Sequence, residues 1–216
     1  KPRHWRGNGV IDGVRMSTND TLVMMSDESG ETDDELADKA QRDHAAFATL
    51  YRRHLDSVFR YCVVQVGDAQ QAQDLTAQTF LAALEHIEAY RGEGVFRAWL
   101  LGIARNKVRD QFRSRRAALP LEAALDIPSL AASPDRVVEG RLRLEQVVRA
   151  LAQLTPDRAE ALALRIFAGL SMAEVGSITG RSEAATKMLV HRGIADLRAR
   201  LASYDEDGEG EHEAKP

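Results

Sequence analysis

YRGEGVFRAWLLGIARNKVRDQFRSRR, from Tyr90 to Arg116, is the stretch on which the fold turns. It opens with a glycine-spaced turn, Arg91-Gly92-Glu93-Gly94, and then takes up a helical period. Leu101, Ala104, Val108 and Phe112 recur at i, i+3, i+7 and i+11 and form one apolar stripe. Arg105, Arg109, Arg113 and Arg116 recur at i, i+4, i+8 and i+11 on a neighbouring face. Between Arg91 and Arg116 eight Lys/Arg stand against two Asp/Glu. A helix that buries one face and lines another with arginines is a surface for a phosphate backbone. Phe96 and Trp99 sit at its start, where an unpaired base could stack. The same pattern also suits a solvated charged face over an ordinary aromatic core, and this stretch alone does not separate the two.

Working outward, the 216-residue chain is 44% hydrophobic, enough for a sizeable core in one or two domains, with aromatics at only 6%. Glycine and proline are sparse inside the periodic segments, and no β-branched alternating run appears. The fold class read from this is all-α: two small helical domains joined by a flexible linker, the second containing a helix-turn-helix. The net charge of −4 is unevenly spread. Residues 27–38 hold seven acids and residues 205–213 hold six, neither with any Lys/Arg. Setting those aside leaves 29 Lys/Arg against 20 Asp/Glu, a basic body between acidic ends. That distribution suits a nucleic-acid binder whose ends oppose casual binding, although acidic ends also simply solubilise.

The single cysteine, Cys62, excludes an internal disulfide and a cysteine-based zinc site. It lies in the apolar run from Val58 to Val64 and reads as a buried structural thiol. The histidines lack HxxxH spacing, so no metal site and no cofactor is expected. Leu22-Val23-Met24-Met25 is far too short for a signal peptide or a membrane span, which points to the cytoplasm. The chain opens on Lys1, with Met16, Met24 and Met25 as candidate starts, and residues 1–15 carry no part of the reading.

In order, residues 1–40 read as a disordered acidic extension. A first helix is expected from about Arg42 to Val66, with Phe47, Leu50, Tyr51, Leu55, Val58 and Phe59 at helical spacing. Gly67 ends it. Asp68 reads as an N-cap, with Gln71 completing a capping box. The next helix, Ala69 to about Tyr90, turns Leu75, Phe80, Leu84 and Ile87 inward and leaves Asp74 and Gln78 on one outer face. The first domain thus spans 41–117. Residues 118–135 lose periodicity, carry two prolines before Ser133, and read as the linker. Ser133-Pro134-Asp135 and Thr155-Pro156-Asp157 are helix starts in a second domain, 136–202. Leu144, Val147, Leu151 and Leu154 form its first stripe. The helix after Thr155 runs to Phe167 and stops at Gly169. Ser171-Met172-Ala173-Glu174 is a capping box opening a short helix that Gly180 ends, and Ser182 caps a last helix to about Leu201. Two short helices across a tight turn, the second longer and basic, form a helix-turn-helix pattern. Val190, Ile194, Leu197 and Leu201 take its packing side. Ala184, Ala185, Met188, His191 and Arg192 project outward, where small residues permit close approach to base edges. Residues 203–216 read as a disordered acidic tail.

Two blocks now carry a resemblance: AQDLTAQTFLAALEHIEAYRGEGVFRAWLLGIARNKVRDQFR and LTPDRAEALALRIFAGLSMAEVGSITGRSEAATKMLVHRGIADLR. Residues 47–116 resemble region 2 of bacterial RNA polymerase sigma factors and residues 141–201 resemble region 4. A bare linker between them resembles the extracytoplasmic-function group. The resemblance implies a promoter-specificity subunit with no catalysis of its own. Its partners are core RNA polymerase and promoter DNA, with an anti-sigma factor as a further partner that the family admits and no membrane insertion. It implies that Asp74, Gln78 and Thr79 bind polymerase clamp helices. It implies that Tyr90, Arg91, Gly92, Glu93 and Asn106 capture a flipped base of the −10 element beside Phe96 and Trp99, with Arg105, Arg109 and Arg113 on the adjacent backbone. It implies that Ala184, Ala185, Lys187, Met188, His191 and Arg192 face the −35 element. The linker, with Glu122 and Asp126, would thread towards the polymerase cleft. Where the family often has Lys-Ser-Arg this chain has Lys187-Met188-Leu189, which favours readout by shape and methyl contact there. Two other classes stand beside this one. A stand-alone helix-turn-helix regulator would need neither the Asp74/Gln78 face nor the base-stacking loop, and a pure interaction protein would not need the basic stripe.

Overall fold

The computed structural model describes residues 30–92, 95–118 and 137–210, and among them it holds helices and turns without a strand. The helices are α1 (Asp33–Ala40), α2 (His44–Val66), α3 (Ala69–Glu85), α4 (Phe96–Ala118), α5 (Val137–Ala152), α6 (Pro156–Leu162), α7 (Met172–Thr179) and α8 (Glu183–Gly210). Residues 119–135 of the linker, with the Ser133-Pro134-Asp135 start, lie outside the described residues, and Ala118 ends α4.

The first domain is built on α2. Asp43 caps its start by accepting from the Ala45 amide at 2.8 Å, and Gly67 ends it at φ 71°. That left-handed backbone is cheap only for glycine. Asp68 restarts the chain by accepting from the Gln71 amide at 2.7 Å. The reciprocal half of the expected box is not made, because the Gln71 oxygen accepts from Arg115 instead. α3 stops at Glu85, earlier than expected, and a 3-10 turn over Ile87–Ala89 carries the chain to Tyr90. α2, α3 and α4 pack against one another around Leu50, Val58, Leu75, Phe80, Leu101 and Ala104, all buried. Cys62 is buried among them, as expected. Phe112 departs from the stripe that predicted it inward: it is 39% exposed, because the helix has by then run past the core.

The acidic extension needs correcting. Residues 33–40 form a docked helix. Thr32 and Glu35 make a reciprocal capping box, and Leu36, Ala37 and Ala40 are buried against α2 and α4. Asp33 pairs with Arg53 at 2.9 Å and with His54 at 2.7 Å. The amide and hydroxyl of Thr32 hold the Glu35 carboxyl below the usual range. Residues 33–40 carry four of the seven acids, and counting charge masked the apolar positions 36, 37 and 40, which sit three and four apart.

In the second domain, Val147, Leu151 and Leu154 of α5 are buried as expected. Thr155 stands at the start of α6 without a side-chain cap bond, and Pro156 takes the first helical position, where no N–H is needed. The helix expected through Phe167 closes instead with a π turn, Ala163–Phe167, and Gly169 follows at φ 75°. The last helix also departs from expectation. Its backbone stays helical to Gly210 rather than stopping near Leu201, since no proline interrupts it and acidic residues are tolerated in a helix.

Candidate nucleic-acid and polymerase surfaces

α3 presents Asp74 and Gln78 to solvent, four residues apart on one face. Leu81, one turn further along that face, is 58% exposed, and sequence reading passed over it. Its signal was there: an apolar residue seven positions from Asp74 on an otherwise polar strip. Thr79 is corrected by the same geometry. One residue past Gln78 the helix has turned inward, so Thr79 is fully buried and its hydroxyl donates to the Leu75 carbonyl at 2.7 Å. No partner can touch it on the folded chain.

At the start of α4 the aromatics divide. Phe96 is 1% exposed and packs between Tyr90, Trp99 and His54, with ring centroids 5.4–5.5 Å apart. Tyr90 is also buried, and its hydroxyl donates to Asp34 of α1. Burial first, then that carboxylate, push the phenol far above its ordinary range. Both rings are core, so the stacking expected of Phe96 and the base contact expected of the Tyr90 ring do not stand. Trp99 is half-buried and faces a cavity of about 740 Å³ together with Arg91 and Asn106. Gly92 turns the chain at φ 68° beside it. Glu93 and Gly94 lie outside the described residues.

The arginine stripe also divides. Arg109 and Arg113 are exposed, Arg113 pairing with Asp110 at 2.5 Å along its own helix. Arg105 is half-buried and turns to the second domain. Its Nε and Nη2 donate to the two Glu160 oxygens at 2.7 and 3.0 Å, and its Nη1 donates to the Ile178 carbonyl at 3.2 Å. The hydrogen bonds to Glu160 raise the guanidinium pKa. On the far side, burial first and the Glu160 charge second push the Tyr61 phenol up. The cavity is an open cleft, and Glu174 and Ser177 of α7 form its other wall.

The helix-turn-helix is fixed at three points. Ser171 and Glu174 make the reciprocal capping box, at 3.2 and 2.6 Å. Gly180 ends α7 at φ 71°. Gly176 permits the turn itself, since a Cβ there would stand 2.7 Å from the Arg181 carbonyl oxygen and 3.2 Å from Thr186 Oγ1. Sequence reading did not single out Gly176. A glycine four residues before a C-cap glycine was its only signal. Ser182 then caps α8 by accepting from the Ala185 amide at 3.2 Å. Val190 and Leu197 are buried, while Ala184, Ala185, Lys187, Met188, His191 and Arg192 are all exposed, Met188 at 51%. The structure therefore brings the six expected readers onto one open face.

Among the described residues no group of three His, Cys, Asp or Glu side chains could hold a metal ion, and no helix is long and apolar enough to cross a membrane.

Comparison with known proteins then gives the following. Residues 50–118 match the family Sigma-70 region 2, and residues 144–197 match Sigma-70, region 4. The ECF RNA polymerase sigma factor BldN of Streptomyces coelicolor is 39% identical over 175 residues, which cover 79% of this chain and 66% of that protein. The RNA polymerase sigma factor CarQ of Myxococcus xanthus is 31% identical over 160 residues, 74% of this chain and 91% of that protein. Among solved structures, the sigma factor RpoE of Bartonella quintana, in complex with the anti-sigma factor NepR, aligns with a TM-score of 0.62 at 25% identity. That alignment covers 72% of this chain and 96% of that one.

Proposed function

The chain belongs to the extracytoplasmic-function group of RNA polymerase sigma factors, and from that premise we propose which of its surfaces bind core polymerase and which read the promoter. α3 is the polymerase surface, through Asp74 and Gln78 with Leu81 as an apolar anchor. The −10 element is met by the cavity edge of Arg91, Trp99 and Asn106, with Arg109 and Arg113 on the phosphates. The −35 element is met by the outward face of α8. The chain works in the cytoplasm, acts by binding alone, and takes an anti-sigma factor as a further partner, as the RpoE structure holds NepR.

The observation that carries this reading is α8. A glycine-locked turn holds a helix whose six reader residues are exposed while its opposite side is buried. That geometry lets a helix enter a major groove without rearrangement. Near its start, Ala184 and Ala185 allow close approach, Met188 offers an apolar contact, and Lys187 and Arg192 offer phosphate or guanine contacts. A stand-alone regulator would leave the exposed strip on α3 without a use. The test is run-off transcription with core polymerase on a promoter library. Transcripts that depend on this chain and share two upstream elements are expected. Equal transcription with and without the chain across the whole library would end the reading.

A further inference from the structure

We infer that Asp34 of α1 is a positioning residue for promoter opening: through the Tyr90 hydroxyl it holds in place the turn and the indole that meet the −10 strand. The inference rests on the proposed −10 surface and adds a residue that shapes it without touching DNA.

Tyr90 stands at the junction. It follows the 3-10 turn over Ile87–Ala89 and is the last residue before Arg91 and Gly92. Its ring is 5% exposed, edge-on to Phe96 and tilted against Trp99, with centroids 5.4 Å apart in both pairs. Trp99 in turn lines the cleft with Arg91 and Asn106. The indole therefore rests on the Tyr90 ring, and where that ring sits decides where the indole stands. Apolar packing alone sets a ring loosely, because its contacts are weak one by one and have no direction. A hydrogen bond at the far end fixes its depth and rotation. The Tyr90 hydroxyl donates to Asp34 Oδ1 at 2.5 Å, across 56 residues of sequence. That separation suits a hydroxyl donating to a carboxylate, which is among the stronger bonds a neutral donor makes.

Asp34 is itself held firmly. Thr32 and Glu35 close the capping box at the start of α1. Beside it, Asp33 pairs with Arg53 at 2.9 Å and with His54 at 2.7 Å, which pins the first turn to α2. The buried His54 ring lies 5.5 Å from Phe96. Two neighbouring carboxylates thus reach one aromatic cluster from two directions, Asp33 through His54 to Phe96 and Asp34 through Tyr90 to Trp99. Leu36, Ala37 and Ala40 seat the rest of the helix in the core, and α1 packs on the 3-10 turn as well as on α2 and α4. A helix anchored in this way supplies a fixed point, which a turn through Gly92 at φ 68° does not supply for itself. A site that catches a flipped base depends on such a point, since misplacement by about 1 Å can cost about 100-fold in rate.

The experiment uses the full chain with core polymerase and a duplex promoter taken from the library. Asp34→Ala removes the acceptor, Asp34→Asn keeps one acceptor oxygen, and Tyr90→Phe keeps the ring while removing the donor. Permanganate follows opening on this promoter and on a second with the flipped −10 base exchanged. Asp34→Ala and Tyr90→Phe should each slow opening about fivefold or more and narrow the preference for the first promoter, since a hydrogen bond to a charged group is lost. The double variant Asp34→Ala/Tyr90→Phe should match the slower single within about twofold, because both changes remove the same bond. Asp34→Asn should stay within about twofold of wild type, as its amide oxygen still accepts. Asp38→Ala, an exposed acid about one turn along α1, is the charge control and is held to the same limit. A second readout needs no DNA. In a Trp5→Phe background Trp99 is the one tryptophan, and acrylamide should quench it more steeply in Asp34→Ala and Tyr90→Phe than in wild type or Asp34→Asn. Each variant is assayed below its own melting midpoint, and if Asp34→Ala does not fold, Tyr90→Phe carries the test. Opening and preference at the wild-type level in Tyr90→Phe or Asp34→Ala would overturn the inference. So would losses that multiply in the double variant, or an Asp34→Asn as slow as Asp34→Ala. A lower melting midpoint with preference and quenching unchanged would make Asp34 a stabilising residue only and overturn it too. Failure of the −10 reading shows elsewhere: an Asn106→Ala polymerase complex would open promoters as fast as wild type.

Discussion

Single atoms decide more here than residue classes do. At Gly176 one added methyl group would meet a carbonyl oxygen at 2.7 Å, and the turn of the helix-turn-helix has no flexible neighbour there to give way. Gly176→Ala should destabilise the second domain by about 1–3 kcal/mol, read as a lower denaturation midpoint with unchanged slope. Gly102→Ala, where a Cβ meets nothing within 4 Å, is the control and should be neutral or slightly stabilising. Cys62 gives a second expectation. Burial pushes its thiol up to about 11 from an ordinary value of 9.0. A raised folded pKa means the fold prefers the protonated thiol. That contribution is complete below pH 9, and it is lost as pH rises towards 11. The thiol should therefore be silent to maleimide at neutral pH and react on addition of denaturant. Rapid labelling of the native chain would contradict the burial. The same scale shows the reach of sequence reading. It found Cys62 and Ser171 because their cues are local. It misplaced Thr79 and Phe96 because a contact motif names a stretch, and a helix turns every adjacent residue by about 100°.

At the scale of the element, α3 and α8 are surfaces with a dry side and a working side. Asp74→Arg on α3 should reduce core polymerase binding strongly in a pull-down while leaving helicity intact, because charge reversal in a contact patch repels as well as removes. Thr79→Val should leave binding at the wild-type level, since that hydroxyl serves only its own helix. On α8, Arg192→Ala should weaken promoter use by about 1–3 kcal/mol if its guanidinium is bidentate to guanine. Promoter-library transcription checks this, and loss at no upstream position would remove α8 as the reader. The helices were legible because their caps are written in neighbouring residues: Asp68, Ser171, Gly67 and Gly180. α1 was not, because its charge density resembles a tail and its burial depends on α2 and α4, which are distant in sequence. The tie between Arg105 and Glu160 was not legible either. Its partners lie 55 residues apart, and no local period connects them.

For the whole molecule, the acidic start is partly architecture. Leu36 and Ala37 are buried, and Asp33, Asp34 and Glu35 make specific bonds. A chain lacking residues 1–29 keeps α1 whole and serves as the reference. Removing residues 1–40 should cost about 2–4 kcal/mol, from the loss of a buried leucine and its small apolar neighbours. Thermal melts of the two truncations decide it, and equal midpoints would mean that α1 contributes nothing.

The outward face of α8 has one more implication. The six side chains proposed to read DNA are exposed, whereas the geometry that aims them is held by Gly176, Thr186, Val190 and Leu197 on the other side. Aim and vocabulary are thus stored in different residues. Positions 184, 185, 187, 188, 191 and 192 can drift, or be exchanged as a set with another protein's, at little cost to folding. If that face reads the promoter as proposed, a lineage carrying this scaffold would change the genes it addresses faster than it changes its shape, and a designer could treat the face as a replaceable cassette.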